Sequence, residues 1–142
     1  ISLLIATTVS ALAATPTIPA DEARAKAIAG EVIMIDIRSF EELAESGLPD
    51  VALRADMYNP NFVSVLSVIQ AMASDVPVAL MCRRGDCAAT ITDQLSQAGI
   101  TNVLDVLGGY YGTRDVKGWS LVGLPIRNID MSVSGLIPFK QP

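Results

Sequence analysis

Val78-Ala79-Leu80-Met81-Cys82-Arg83-Arg84-Gly85-Asp86-Cys87-Ala88 is the stretch that decides how this chain folds. Four apolar residues in a row are followed by a short polar loop with a glycine. A helical pattern then begins, with Ala88, Ile91, Leu95 and Ala98 on one face and Gly99 as its stop. A short, continuous apolar run is the mark of a strand buried on both faces, as in a parallel sheet. Two similar runs flank it. Val32-Ile33-Met34-Ile35 ends at Asp36, and Val103-Leu104-Asp105-Val106 stops at Gly108-Gly109.

Helical patterns separate these runs. Asp21 to Ala29 is rich in Ala, Glu, Lys and Arg, with Gly30 as its stop. Ser39 followed three residues later by Glu42 is a capping-box signature and predicts a helix from Phe40. Ser46 to Pro49 reads as a turn. Phe62, Val65, Leu66, Ile69 and Met72 recur at helical spacing until Asp75 and Pro77. Strands alternating with helices predict an α/β fold with a parallel sheet and right-handed crossovers. In such sheets, sites lie beyond the carboxyl ends of the strands. Asp36 and Cys82 both stand there.

At 142 residues the chain reads as one domain. Ile1 to Ala14 is uncharged and apolar, with Ala11-Leu12-Ala13 matching a small-x-small cleavage site. It reads as a secretory signal or the remnant of an anchor, which implies a periplasmic or secreted protein. Membrane association is expected only if that segment is an uncleaved anchor. Residues 15–20, with Pro16 and Pro19, read as a linker, residues 21–127 as the domain, and residues 128–142 as a tail with no clear pattern. The net charge of -5 and the absence of a basic stripe argue against nucleic acid as a partner. With no histidine and two cysteines, there is no zinc cluster and no Ser-His-Asp or Cys-His arrangement to expect. No metal or other cofactor is called for.

The candidate nucleophile is Cys82. A thiolate attacks where a neutral thiol does not, so its surroundings have to favour the anion. The first N–H groups of the following helix, at Cys87 and Ala88, lack intrahelical partners and point towards the loop. Gly85 lets the loop turn further N–H groups inward, and Arg83 and Arg84 add positive charge. Such a cradle suits a thiolate, a persulfide or an anionic substrate. The bland alternative is an inert buried cysteine beside two solvated arginines. Tyr110 and Tyr111 line a pocket mouth or pack half-buried with wet hydroxyls; Trp119 reads as core.

These residues resemble the single-domain rhodaneses, which are sulfurtransferases. The resemblance spans Asp21 to Arg127. It consists of Asp36-Ile37-Arg38 with Glu41-Glu42; Asn59-Pro60-Asn61-Phe62; the Cys82 loop; Ala98-Gly99-Ile100-Thr101-Asn102-Val103; Gly108-Gly109; Gly118-Trp119; and Gly123-Leu124-Pro125. It implies a rhodanese-like three-layer fold, a central parallel sheet wrapped by helices. It also implies a mechanism: Cys82 takes the outer sulfur of thiosulfate or a related donor, and the persulfide is passed to a thiol or cyanide. The partners implied are a small sulfur-containing anion, a thiol acceptor and, in some settings, a protein that receives the sulfur. Arg83, Arg84, Gly85, Asp86, Cys87 and Ala88 are the expected substrate-binding positions. Asp36, Arg38 and Glu42 are expected to brace the site, with Arg38 pairing Glu41 or Glu42, or else forming a surface ion pair.

Three positions depart from the family pattern. Cys87 stands where an arginine is frequent, Asp86 puts an acid beside the proposed anion cradle, and Gly47 replaces the usual histidine. The first two weigh against thiosulfate itself as donor. A second cysteine five residues from Cys82 opens another reading, a thiol-disulfide or persulfide reductase using both; the plainer reading of Cys87 is a small buried residue at the helix start. A third is a non-catalytic module that carries sulfur or binds a partner. A cysteine-based phosphatase would need arginine where Ala88 stands.

Overall fold

The computed structural model describes residues 15–72, 75–85 and 87–129. The signal-like segment and residues 130–142 of the tail lie outside them. The sheet strands are β1 (Thr17–Ile18), β2 (Ile33–Asp36), β4 (Leu53–Arg54), β5 (Val78–Met81) and β6 (Val103–Val106). They form one five-stranded sheet in the order β1-β6-β5-β2-β4, every pairing parallel. The helices are α1 (Ala20–Ile28), α2 (Phe40–Ser46), α3 (Phe62–Met72) and α4 (Cys87–Gln97). A small antiparallel ladder joins β3 (Leu48–Pro49) to β7 (Ile126–Arg127).

The apolar runs become the middle of the sheet because side chains on a strand alternate between faces, and here both faces are covered. Met34, Ala79 and Met81 pack into one core with Ala23 of α1 and Leu43 of α2. Ile35, Val78 and Leu80 pack into the other with Leu66 of α3 and with Ile91 and Leu95 of α4. The result is the expected three-layer α/β arrangement. Its central strand, β5, delivers Cys82 to the carboxyl edge.

The capping box forms as read. Ser39 Oγ accepts from the Glu42 amide at 3.3 Å, and a Glu42 carboxylate oxygen accepts from the Ser39 amide at 3.1 Å.

Two local expectations need correcting. Residues 15–20 are not a free linker, since Thr17 and Ile18 pair with Asp105 and Val106 and Ile18 is buried. Proline lacks a backbone donor, but an edge strand requires few donors. Here the carbonyls of Pro16 and Ile18 accept from the Asp105 and Leu107 amides. Ser46 to Pro49 is more than a turn: Ser46 ends α2, and Leu48–Pro49 forms the ladder that catches Ile126–Arg127. An antiparallel partner 77 to 79 residues away leaves no local trace in the sequence. No helix among the described residues is long and apolar enough to cross a membrane.

Candidate active site

Cys82 follows β5 directly, and only 2% of it is exposed. Its side chain belongs to the apolar cluster formed with Ile35, Leu80 and Ile91, yet its sulfur meets two backbone donors. Sγ accepts the Gly85 amide at 3.3 Å and the Cys87 amide at 3.2 Å. The second donor is the first residue of α4, so the positive end of the helix dipole meets the sulfur. Gly85 makes the first contact possible with a φ of 89°, a conformation that glycine adopts at little cost. The loop therefore presents backbone donors to one sulfur atom, the arrangement that stabilises a thiolate or the terminal anion of a persulfide.

A second segment holds the loop in shape. Gly108 and Gly109, just after β6, lie backbone to backbone against it. A Cβ on Gly109 would stand 2.4 Å from the Cys82 carbonyl oxygen and 2.7 Å from the Gly85 nitrogen. The Tyr110 amide donates to the Cys82 carbonyl and the Tyr111 amide to the Arg83 carbonyl, both at 2.9 Å. In the sequence the glycine pair marks a strand stop and matches the family pattern; its bracing role depends on a loop distant in the chain, and the adjacency of the two glycines is its only local signal.

Gly109→Ala is expected to lose stability by about 1–3 kcal/mol through overpacking and to misshape the Cys82 loop. Gly30→Ala is the control. Gly30 also has a positive φ, 74°, but a Cβ there meets nothing within 4 Å. Denaturant unfolding should show both variants destabilised, whereas the rate of thiol modification at Cys82 should change only in Gly109→Ala.

Asp36 and Arg38 form the buried brace, but not with the expected partners. Arg38 does not reach Glu41 or Glu42 and is not on the surface. Its Nε and Nη2 clasp the Asp36 carboxylate, the closest contact being 2.7 Å, with both side chains almost wholly buried. Nη1 donates to Ser46 Oγ at 2.8 Å and Nη2 to the Gly47 carbonyl at 3.0 Å. The guanidinium lies 3.8 Å from the Tyr110 ring centre. The reason for the change is that residues two apart along an extended segment share a face, while Glu42 is held at the cap of α2. Burial pushes the Asp36 carboxyl above its ordinary value, against the pull of the Arg38 hydrogen bonds and charge. Tyr110 is buried, and its hydroxyl donates to the Ser46 carbonyl at 2.6 Å. Trp119 is core, as read.

Glu42 instead meets the loop. Its carboxylate lies 3.4 Å from Arg83 Nη1, and the Arg83 guanidinium lies 5.5 Å from the Tyr111 ring centre. Arg83 is exposed, so this pair is worth under about 1 kcal/mol. Arg84 donates to the Gly112 carbonyl at 3.2 Å. Thus the loop arginines supply charge at the rim, and the backbone supplies the direct contacts to sulfur. Cys87 is half-buried against the same apolar cluster that includes Cys82. Neither cysteine is in a disulfide. Ala88 is the second residue of α4, and Asp86 lies outside the described residues.

The family model of the rhodanese-like domain matches residues 19–115, from the edge of β1 through the cysteine loop and the glycine pair. The chain belongs to the rhodanese-like domain family. Its place in this sulfurtransferase family agrees with the parallel sheet and with a cysteine loop at the end of the central strand. Among solved structures, the rhodanese-like fold here is similar to that of Rv0390 from M. tuberculosis, with 26% identity and a TM-score of 0.56, over 73% of this chain and 89% of that one. It is also similar to a rhodanese-related protein from Thermoplasma volcanium, with 22% identity and a TM-score of 0.54, over 79% and 97% of the two chains. A protein of unknown function from Rhodopseudomonas palustris, described as a possible tyrosine phosphatase, shares 18% identity at a TM-score of 0.58, over 80% and 85%. No curated protein matches the chain.

Proposed function

We propose that the chain is a sulfurtransferase that carries sulfane sulfur on Cys82. The observation that carries this reading is the pair of amides, from Gly85 and Cys87, that converge on Sγ. The Cys82 thiolate attacks the outer sulfur of thiosulfate or a related donor. The bond between the two donor sulfurs breaks, and sulfite leaves with the electron pair. The product is a Cys82 persulfide, whose charge the loop amides stabilise. A thiol or cyanide then takes the outer sulfur, and Cys82 returns as thiolate.

Arg83 and Arg84 draw a small anion to the loop by charge. Glu42 and Gly112 hold them through contacts that an incoming anion can displace. Ala88 stands where a phosphatase of this general fold would carry its phosphate-clamping arginine, which favours sulfur chemistry over phosphate-ester chemistry. The apolar, uncharged stretch from Ile1 to Ala14 supports a periplasmic or secreted site of action.

The test is mass spectrometry of the reduced protein after incubation with thiosulfate, and separately with inorganic polysulfide. The expected result is a gain of one sulfur atom on the Cys82 peptide. With thiosulfate, sulfite should appear in equal amount, and cyanide should remove the added sulfur as thiocyanate. A gain from polysulfide alone would make a sulfane donor other than thiosulfate the substrate. No gain from either donor would overturn the proposal.

A further inference from the structure

Cys87 is the one nucleophilic side chain of the loop that sulfur transfer to an external acceptor does not use. Its place is specific. Its own amide donates to Cys82 Sγ at 3.2 Å, and its side chain packs against the apolar cluster that also contains Cys82. An amide that touches Sγ puts the Cβ of the same residue two bonds from that contact. A disulfide requires Cα atoms roughly 4.4–6.8 Å apart, and this contact holds the Cys87 backbone at Cys82 Sγ.

The two sulfurs of a Cys82 persulfide are not equally accessible. Cys82 is 2% exposed, so its own sulfur is shielded from solvent and an external acceptor meets the outer sulfur. The backbone amide of Cys87 touches the inner one. Attack on the outer sulfur moves sulfane sulfur onto the acceptor, whereas attack on the inner sulfur expels the outer one as sulfide.

We infer that Cys87 is a resolving thiol, which converts the Cys82 persulfide into a Cys82–Cys87 disulfide and releases hydrosulfide. The inference rests on the persulfide reading above. In this step the Cys87 sulfur attacks Cys82 Sγ, a new S–S bond forms, and the bond from Sγ to the outer sulfur breaks. The outer sulfur keeps the electron pair of that bond, takes the proton of the Cys87 thiol and leaves as HS⁻. Two cysteine sulfurs are oxidised, and the sulfane sulfur is reduced to sulfide. A dithiol reductant then attacks the disulfide, leaves as a cyclic disulfide and restores both thiols. With such a reductant present, the loop turns sulfane sulfur into sulfide and needs no separate sulfur acceptor.

The experiment loads reduced wild type and Cys87→Ser with thiosulfate or polysulfide, removes the donor, and follows sulfide release and peptide mass. Results are normalised to the persulfide formed, so a slower loading step in the variant does not enter. In wild type, about one sulfide per persulfide should appear, together with a peptide joining Cys82 to Cys87. Dithiothreitol should separate that peptide. The variant should keep its added sulfur at least tenfold longer, until cyanide is supplied.

Persulfides of equal lifetime in the two proteins, with no joined peptide in wild type, would overturn the inference and leave the sulfurtransferase reading standing. Failure of both proteins to take up sulfur from either donor would overturn both readings. The joined peptide in wild type decides the matter on its own if Cys87→Ser does not fold.

Discussion

Cys82→Ser is expected to abolish sulfur uptake, with sulfite release from thiosulfate falling on the order of 10⁴-fold or more, the scale on which loss of a covalent nucleophile acts. The reason is chemical. A serine hydroxyl remains protonated near neutrality and forms no persulfide. The reason is also specific to this loop, since the Gly85 and Cys87 amides converge on a single acceptor atom. Serine keeps the size of the side chain and can accept the same two donors, so the fold should survive. Unfolding midpoints within the range of ordinary surface substitutions, beside a flat sulfite assay, would assign the loss to chemistry. Residual turnover in Cys82→Ser above a few per cent would mean that another group accepts the sulfur.

Arg38→Ala is expected to give the largest loss of stability, about 3–5 kcal/mol, the range found when one partner of a buried ion pair is removed. The Asp36 carboxylate would be left buried beneath α2 with the Arg38 backbone amide and without the guanidinium that compensates its charge. The loss would not stop at Asp36. The same guanidinium ties Ser46 Oγ and the Gly47 carbonyl to the end of β2, and it stacks on Tyr110, whose amide holds the Cys82 carbonyl. Arg38→Lys should recover only part of the stability, because an ammonium cannot span two carboxylate oxygens and two further acceptors. Asp36→Ala with Arg38→Ala should cost less than the two single losses added together, as coupled partners do. Denaturant titration of the four proteins checks this. Full additivity, or a cost for Arg38→Ala within 1 kcal/mol of zero, would show that the pair does not brace the fold.

The parts of the site that could be read in advance are those set by neighbouring residues. Met81, Cys82 and Gly85 come within a few positions, so strand end, nucleophile and turn could be placed together. Ser39 and Glu42 cap their own helix three residues apart, and the box forms as its spacing says. Arg38 joins Asp36 rather than Glu41 or Glu42, the acids that follow it in the chain, because burial is a tertiary property and it is burial that commits Arg38 to Asp36. The Gly109 brace and the Tyr110 hydroxyl were missed because their partners, Cys82 and Ser46, are distant in the chain.

Apolar runs, helix periodicities and one cysteine at a strand end were enough, by themselves, to determine an α/β chain with its nucleophile at the carboxyl edge of a parallel sheet. Those features depend on local periodicity and on the rule that strands covered on both faces are apolar throughout. Tertiary structure alone decided that Arg38 is buried on Asp36 and against Tyr110, and which backbone presses on the cysteine loop. The contacts of Gly109 and Tyr110 arise from packing between segments tens of residues apart, where distance and burial, not residue type, select the partner.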